Sequence, residues 1–152
     1  MAGDTLNLED FIPYRLSVLS NRVSGALSGA YSRRFGLSIP EWRVMAVLGR
    51  FPALSAAEVA ERTAMDKVAV SRAVGRLMAA GRVRRKTDSV DRRRSVLDLT
   101  AEGQKLYRRI TPLLLKYEAE LLKGLDATER RVLTGLLDRL QESAISLGPP
   151  GD

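Results

Sequence analysis

Apolar positions near both ends of the chain follow helical spacing. From Leu8 to about Arg34 they recur at intervals of three and four residues, which predicts one amphipathic helix. Pro13 falls within the first two turns of this helix, where a proline is best tolerated. A second amphipathic helix is predicted after Asp126-Ala127-Thr128-Glu129, a capping-box variant. Its apolar face is formed by Val132, Leu133, Leu136, Leu137 and Leu140.

Three shorter helices are predicted in the middle of the chain from their capping residues. Ser38-Ile39-Pro40-Glu41 and Ser55-Ala56-Ala57-Glu58 each place a serine three residues before a glutamate, which is the capping-box pattern. The first of these helices is predicted to run to Pro52. Asp66 is the predicted N-cap of the third, KVAVSRAVGRLMAA, and Gly81 is predicted to end it.

Two short strands follow the third helix. RVRRKT and SVLDLT flank the polar segment DSVDRRR, which predicts a β-hairpin. Thr100 then caps a long helix from Ala101 to about Lys123, in which Pro112 predicts a kink. The fold class is therefore mainly α with a small β-hairpin wing. Three short helices followed by a hairpin are typical of a winged helix-turn-helix.

The third short helix has two contrasting faces. At about 100° per residue, one side carries a predicted buried stripe of Val70, Ala73, Val74, Leu77 and Met78. The other side carries Val68, Arg72, Gly75, Arg76 and Ala79, with Ser71 at its edge. A small, cationic outer face suits insertion into the major groove of DNA.

Individual roles on this helix follow from side-chain chemistry. Lys67 and Val68 lie in the first turn, nearest the base edges. Arg72 is suited to guanine and Val68 to the methyl group of thymine. We expect Ser71 and Arg76 to contact phosphates.

The charge distribution supports a nucleic-acid partner. Ten bases and three acids lie between Asp66 and Arg94, so these 29 residues carry the whole net charge of +7. The other 123 residues have 15 bases and 15 acids. A concentrated basic surface indicates a polyanion, and nucleic acid is the commonest one in a cell. Aromatic residues make up 5% of the chain, which favours duplex DNA over stacking on single strands.

The predicted wing supplies a second set of bases: Arg85, Lys86, Arg92, Arg93 and Arg94. In extended chain, residues two apart share a side, so Asp91 is predicted to pair with and orient Arg93. A guanidinium held in this way suits a narrow minor groove. The alternatives are that Asp91 is a turn residue and that Arg82 to Lys86 form a solvated strand face.

The composition excludes several classes of function. The chain has no cysteine and no histidine, which removes disulfides, thiolate nucleophiles and the commonest metal ligands and general base. A metal site built on Asp88 and Asp91 is disfavoured because both lie in a polar turn among arginines. We therefore predict no enzyme activity, cofactor or metal. No apolar run approaches the ~18 residues of a membrane span, and the N-terminus lacks a signal peptide, which predicts a cytoplasmic protein with no membrane partner.

The segment from Asp66 to Gly103 resembles the MarR family of bacterial transcriptional regulators. The matching elements are Ser71-Arg72, Leu77, Gly81, Asp91-Arg92-Arg93 and Leu99-Thr100-Ala101-Glu102-Gly103, together with Glu41-Trp42-Arg43-Val44 in an earlier helix. The resemblance implies a homodimer, usually a repressor, that binds an imperfect palindrome. It also implies dimerisation helices in residues 1–35 and 104–147 that interlock with those of the partner, and a DNA-binding lobe in residues 38–103, within one domain of residues 1–152.

Small aromatic acids and phenolic or lipophilic compounds are the effectors that the resemblance implies, bound between the dimerisation helices and the DNA-binding lobe. Candidate effector residues are Tyr14, Arg15, Trp42 and Tyr107, with the Arg15 guanidinium holding an aryl carboxylate. Each has an alternative role: Arg15 as a side chain whose stem packs while its head reaches solvent, and Trp42 and Tyr107 as core residues. Oxidant sensing by cysteine is excluded by composition.

The terminal helices predict a dimer independently, because they carry more apolar surface than one winged unit covers. The alternative is that intramolecular packing covers these faces. For the function, the main alternative is an architectural protein that binds DNA without sequence preference. A metal-dependent enzyme and a protein-interaction scaffold are weaker alternatives.

Overall fold

The computed structural model describes residues 4–150. Within them the chain divides after Leu114 into two compact units. The elements, in chain order, are α1 (Ile12–Ser28), α2 (Ser32–Phe35), α3 (Ile39–Arg50), α4 (Ala56–Thr63), α5 (Lys67–Ala79), β1 (Val83–Thr87), β2 (Ser95–Leu99), α6 (Ala101–Leu121) and α7 (Ala127–Leu147). The predicted fold class, mainly helical with one small hairpin, is confirmed.

The first unit is built around α3, α4, α5 and the hairpin. Helix α4 packs against both α3 and α5, and α3 also packs against β2. The largest fully buried side chains are Tyr31, Leu37, Met45, Leu48, Leu77, Leu97 and Ile110, with Val44, Val59, Val70 and Val96. This shared core fixes α5 and the wing on one scaffold.

Local capping explains where the three short helices begin. The Ser38 and Ser55 hydroxyls accept hydrogen bonds from the N–H groups of Glu41 and Glu58, both at 3.2 Å, and donate to the same glutamates' carboxylates. Asp66 accepts from the N–H of Ala69 at 2.9 Å. All three predicted caps are confirmed. Helix α3 ends at Arg50, two residues before the predicted limit at Pro52.

The hairpin is antiparallel, and its register runs from Val83 opposite Leu99 to Thr87 opposite Ser95. Leu54, in the loop between α3 and α4, adds a bridge to Leu97, with an N···O distance of 2.7 Å. Gly103 packs so closely on the main chain that a Cβ there would collide with the carbonyl oxygen of Arg82. The wing is therefore joined by backbone contacts to the loop between α3 and α4 and to the start of α6.

The first predicted helix is wrong in its bounds. Helix α1 begins at Ile12, not Leu8, because Pro13 occupies one of the first two helical positions, where its ring is favoured. The helix ends at Ser28, and Tyr31 turns into the core with 1% of its surface exposed. A separate short helix, α2, follows. Burial of Tyr31 thus interrupts a pattern that sequence spacing alone would continue.

The second unit contains the end of α6 and helix α7. Asp126 and Glu129 form the predicted capping box, with side-chain to backbone distances of 2.8 and 3.0 Å. Pro112 lies inside α6, as predicted, and the helix continues to Leu121. No residue of α7 is buried, and the same is true of α1. Between residues 4 and 150, no helix has the length and apolar character needed to cross a membrane.

Candidate nucleic-acid interface

The two faces of α5 differ as the sequence predicts. Val70, Ala73, Val74 and Leu77 are buried, whereas Val68 is 59% exposed. Lys67, Ser71, Arg72, Gly75 and Arg76 are also exposed. Met78 was predicted to be buried and is 39% exposed, because it lies at the edge of the stripe, near the end of the helix. The outer face of α5 is therefore open and cationic over its first three turns.

The first turns of α5 and strand β1 of the wing share one recess. Its volume is about 150 Å³, and its walls come from α4, α5 and β1. The lining residues are Ala56, Ala57, Lys67, Val70, Ser71, Val74 and Arg85. Two predicted contact residues of α5, Lys67 and Ser71, therefore stand beside Arg85 of the wing on one surface.

The tip of the wing is shaped by two aspartates. Asp88 accepts a hydrogen bond from the N–H of Val90 at 3.1 Å, and Asp91 accepts one from the N–H of Arg93 at 3.0 Å. Asp91 was predicted to pair with the Arg93 guanidinium. This prediction is wrong: the Asp91 carboxylate accepts the backbone N–H of Arg93 and makes no ion pair with its guanidinium. An aspartate reaches the N–H two residues after it readily, so Asp91 shapes the turn through the backbone. Arg92 and Arg93 are both exposed.

Three of the eight cations predicted to bind DNA have carboxylate partners in the protein. Arg94 pairs with Glu58, and its Nη1 also lies 3.8 Å from Oδ2 of Asp88. Nζ of Lys86 lies 2.5 Å from Oδ2 of Asp98. The Arg76 guanidinium lies 4.0 Å from Glu41.

Five of the eight cations have no carboxylate within 4.0 Å among residues 4–150: Lys67, Arg72, Arg85, Arg92 and Arg93. Arg85 donates instead to the hydroxyl of Ser95, at 3.3 Å. The predicted set therefore separates into three cations with a carboxylate partner and five without one.

Asp98, in strand β2, is the carboxylate that connects the two strands of the wing to the preceding loop. Its Oδ1 accepts the N–H of Ala53 at 3.0 Å. Burial alone would raise the pKa of the Asp98 carboxyl, but the hydrogen bonds from Lys86 and Ala53 and the charges of Lys86 and Arg84 together hold that pKa below its ordinary value. Asp98 therefore ties the wing to the loop between α3 and α4.

Sequence reasoning missed the structural roles of Asp98 and Glu58. For Asp98 a signal exists in the hairpin pattern, because the register places it opposite Arg84 and diagonal to Lys86. For Glu58, the partner Arg94 lies 36 positions away, and no local pattern connects them.

Two of the candidate effector residues belong to one aromatic stack. The ring of Trp42 stacks on Tyr31 at 5.6 Å and on Tyr107 at 5.9 Å between centroids. A Cβ at Gly49 would overlap the Tyr107 ring, so glycine leaves room for the stack. Burial raises the pKa of Tyr31, and the nearby charge of Arg43 opposes this in part. Tyr31 was not among the predicted residues, and its spacing gave no signal for it.

The other two candidate effector residues, Tyr14 and Arg15, are not part of this stack. Tyr14 and Arg15 are exposed on α1, and within the described part of the chain neither has a ring contact or an ion pair with the stack. The structure therefore joins Trp42 with Tyr107 and leaves Tyr14 and Arg15 on an open helix surface.

Sequence comparison gives the family of the chain. A model of the MarR family matches residues 35–94, from the end of α2 to the loop of the wing. An HTH-type transcriptional repressor from Mycobacterium tuberculosis is 30% identical over 131 residues, which cover 86% of this chain and 91% of the relative. The chain belongs to the MarR family. Transcriptional regulator HosA from Escherichia coli is 27% identical over 107 residues, 70% of this chain and 79% of HosA.

Solved structures of MarR-family regulators share the fold. A MarR/EmrR family transcriptional regulator from Acinetobacter sp. ADP1 matches with a TM-score of 0.86 and 28% identity, covering 93% of this chain and 99% of that one. The PcaV transcriptional regulator from Streptomyces coelicolor, solved with its natural ligand, matches with a TM-score of 0.77 and 26% identity over 95% of this chain and 99% of PcaV. The chain is thus a MarR-family transcriptional regulator and not an enzyme.

Proposed function

We propose that this MarR-family regulator is a homodimeric, ligand-responsive repressor that binds a palindromic operator in duplex DNA. The single observation that carries the proposal is the shared cationic surface of α5 and the wing, in which Lys67, Ser71 and Arg85 line one recess. The repressor activity of the mycobacterial relative supports the direction of regulation. The proposed location is the cytoplasm, where such a protein meets the chromosome.

Base recognition is assigned to α5. Its exposed first turns carry Lys67, Val68 and Arg72, and the small residue Gly75 follows on the outer face. Such a face enters the major groove without steric conflict, so that Arg72 reaches guanine and Val68 reaches a thymine methyl group. Ser71 contacts a phosphate beside them.

Backbone and minor-groove contacts are assigned to the wing. Arg92 and Arg93 are exposed on a loop whose backbone is fixed by Asp88 and Asp91. A fixed loop loses little entropy on binding, and a guanidinium suits the negative potential of a narrow minor groove. Arg85 supplies a phosphate contact between the wing and α5.

Dimerisation is proposed for the uncovered helices. In α7, Val132, Leu133 and Leu136 are between 37% and 55% exposed, and they line an apolar groove of about 370 Å³ with Leu125, Thr128 and Glu129. In α1, the exposed apolar residues include Ile12, Leu16 and Leu19. A second copy of the chain would bury these faces by two-fold symmetry. Two recognition helices about 34 Å apart then read a palindrome.

An aromatic acid or phenolic compound is the proposed effector class. The ligand-bound structure of PcaV supports a ligand-responsive mechanism for this chain. The proposed site uses Trp42 and Tyr107 as aromatic walls, and Tyr14 and Arg15 as contacts from α1. A ligand that binds better to one dimer geometry shifts the population away from the geometry that fits the operator.

Selection from a random duplex library tests operator binding. We expect an enriched motif with two-fold symmetry, whose half-sites lie about one helical turn apart. The architectural alternative predicts tight binding to all duplexes and no enriched motif. A protein that binds no duplex at low salt would contradict both readings.

Sedimentation equilibrium tests the dimer. Leu136→Glu places a charge in the apolar groove of α7 and should give a monomer. Arg131→Glu introduces the same side chain about 140° away around the helix and should leave the dimer intact. Equal masses for the two variants would show that this face of α7 does not form the interface.

Fluorescence of Trp42, the single tryptophan, tests the effector site. Titration with a panel of aryl carboxylates and phenols should quench or shift its emission for a subset of compounds, and the same compounds should release operator DNA. Arg15→Met should weaken binding of the carboxylates more than binding of the phenols. If no compound changed the Trp42 emission, the aromatic stack would not be part of the effector site.

A further inference from the structure

Arg94 stands where the loop of the wing meets strand β2. Its guanidinium pairs with Glu58 in the first turn of α4 and lies 3.8 Å from Asp88 within the loop. The backbone is fixed at the same point: Arg94 donates its N–H to Asp91 at 3.0 Å and accepts the N–H of Asp88 at 2.9 Å. Arg94 therefore contacts residues at the start and in the middle of the loop, Asp88 and Asp91, and connects the loop to helix α4 through Glu58.

The connection to α4 matters because α4 packs directly on α5. Val59 and Ala60, which follow Glu58 on α4, are buried in the common core. The middle of strand β2 is held by the bridge from Leu54 to Leu97. Glu58 thus offers the loop end of the wing a fixed point on the scaffold that carries the recognition helix.

The local charge makes Arg94 a poor site for phosphate. Arg94 with its two carboxylate neighbours has a formal charge of −1, so the group as a whole repels a phosphate. Its side chain is 38% exposed, and that of Glu58 is 37% exposed. The exposed Arg92 and Arg93 have no such neighbours within 4.0 Å among residues 4–150.

We propose that Arg94 is a positioning residue, which holds the loop of the wing against α4 through Glu58 and does not itself bind DNA. It fixes where Arg92 and Arg93 stand relative to α5, and so sets the spacing between minor-groove and major-groove contacts. The proposal rests on the proposed DNA-binding function.

Glu58→Gln tests the proposal, because the proposal and simple electrostatics predict opposite changes in operator affinity. Glutamine retains the capping-box acceptor for Ser55, so α4 begins as before. Removing an acid raises the positive charge near the DNA, so simple electrostatics predicts tighter binding. Loss of the positioning contact predicts weaker binding, by about three- to tenfold for a dimer with two wings. The two readings therefore differ in direction.

Glu61→Gln is the matched control. Glu61 lies exposed on the same helix, makes the same charge change, and has no cation within 4.0 Å in the described part of the chain. Binding is measured on the operator duplex recovered from the random library, at about 0.15 M salt. We expect unchanged or tighter binding by Glu61→Gln. The proposal is overturned if Glu58→Gln binds as tightly as this control.

The salt dependence separates positioning from phosphate contact. Arg94→Met keeps the apolar stem, and it should weaken binding while leaving the slope of log K against log[salt] unchanged. Arg93→Met should reduce the magnitude of that slope by about 1.8, since a dimer loses two cations that neutralise phosphate charge from within the minor groove. A reduced slope for Arg94→Met would overturn the proposal.

A measurement without DNA distinguishes failure of this proposal from failure of the proposed function. Backbone ¹⁵N relaxation on the free protein should give order parameters near about 0.85 for residues 89–93, falling below about 0.6 in Glu58→Gln and Arg94→Met. These order parameters can be measured even if the protein binds no operator. Order parameters that stay high in both variants would overturn the positioning role even if operator binding is confirmed.

Discussion

The salt dependence of operator binding follows from the ion pairs of the wing and α5. Five of the eight candidate cations, Lys67, Arg72, Arg85, Arg92 and Arg93, lack a carboxylate within 4.0 Å among residues 4–150. The proposed dimer then presents ten such cations, and each one that neutralises phosphate charge, whether on the backbone or from within a groove, contributes about −0.9 to the slope of log K against log[salt]. We expect a slope close to about −9. If all eight cations bound phosphates, the slope would be about −14.

The assay is fluorescence anisotropy of a labelled operator duplex, titrated at salt concentrations between about 50 and 200 mM. A slope of about −9 corresponds to a loss of affinity of about 10⁵-fold over this range. Lys86→Met removes a cation that already pairs with Asp98 and should leave the slope unchanged. Arg92→Met removes an unpaired one and should reduce its magnitude by about 1.8.

Two results would refute this reasoning. A slope near −14 would show that Arg76, Lys86 and Arg94 leave their carboxylates and bind phosphates. An equal change of slope in Lys86→Met and Arg92→Met would show that internal pairing does not decide which cations contact DNA. Either result would show that the ion pairs of the free protein do not predict which cations contact DNA in solution.

Three further predictions concern stability. Leu77→Ala should lower the free energy of unfolding by about 2–5 kcal/mol in urea titrations, because Leu77 is 1% exposed in the core; a loss of under about 1 kcal/mol would contradict this. Gly103→Ala should cost about 1–3 kcal/mol through the collision with the Arg82 carbonyl. The control is Gly75→Ala, because a Cβ at Gly75 meets open space. This variant should stabilise the protein by about 0.5–1 kcal/mol. If both variants changed the free energy of unfolding in the same direction, the packing described at Gly103 would be wrong. Asp98→Asn should be less stable than wild type at neutral pH. Because the folded pKa lies below the unfolded value of about 3.9, this difference should shrink as pH falls below about 4, and a difference that stays constant from neutral pH to about pH 2 would exclude the carboxylate as its source.

The elements predicted correctly from sequence are those specified by local chemistry. Four helices begin at a side chain that accepts the N–H three residues later: Ser38, Ser55, Asp66 and Asp126. Because each contact is local, the sequence pattern predicts it whatever the tertiary structure. The buried stripe of α5 and the hairpin are also local, and both are confirmed apart from Met78.

The features that sequence reasoning missed depend on distant contacts. Tyr31 breaks the first predicted helix because a buried place exists for its ring beside Trp42. The pair of Arg94 with Glu58 depends on how the wing folds back on α4. Asp91 has two acceptable partners at the same spacing, a backbone N–H and a guanidinium, and sequence does not decide between them.

Asp66 also influences how a duplex meets α5. A helix N-terminus ordinarily attracts phosphate through its free N–H groups and the positive end of the helix dipole. At α5 a fixed carboxylate already occupies this position and accepts the N–H of Ala69. In the proposed complex, this carboxylate disfavours a phosphate at the tip of the helix. The sugar–phosphate chains would therefore lie along the flank of α5, while its first turn faces the base edges.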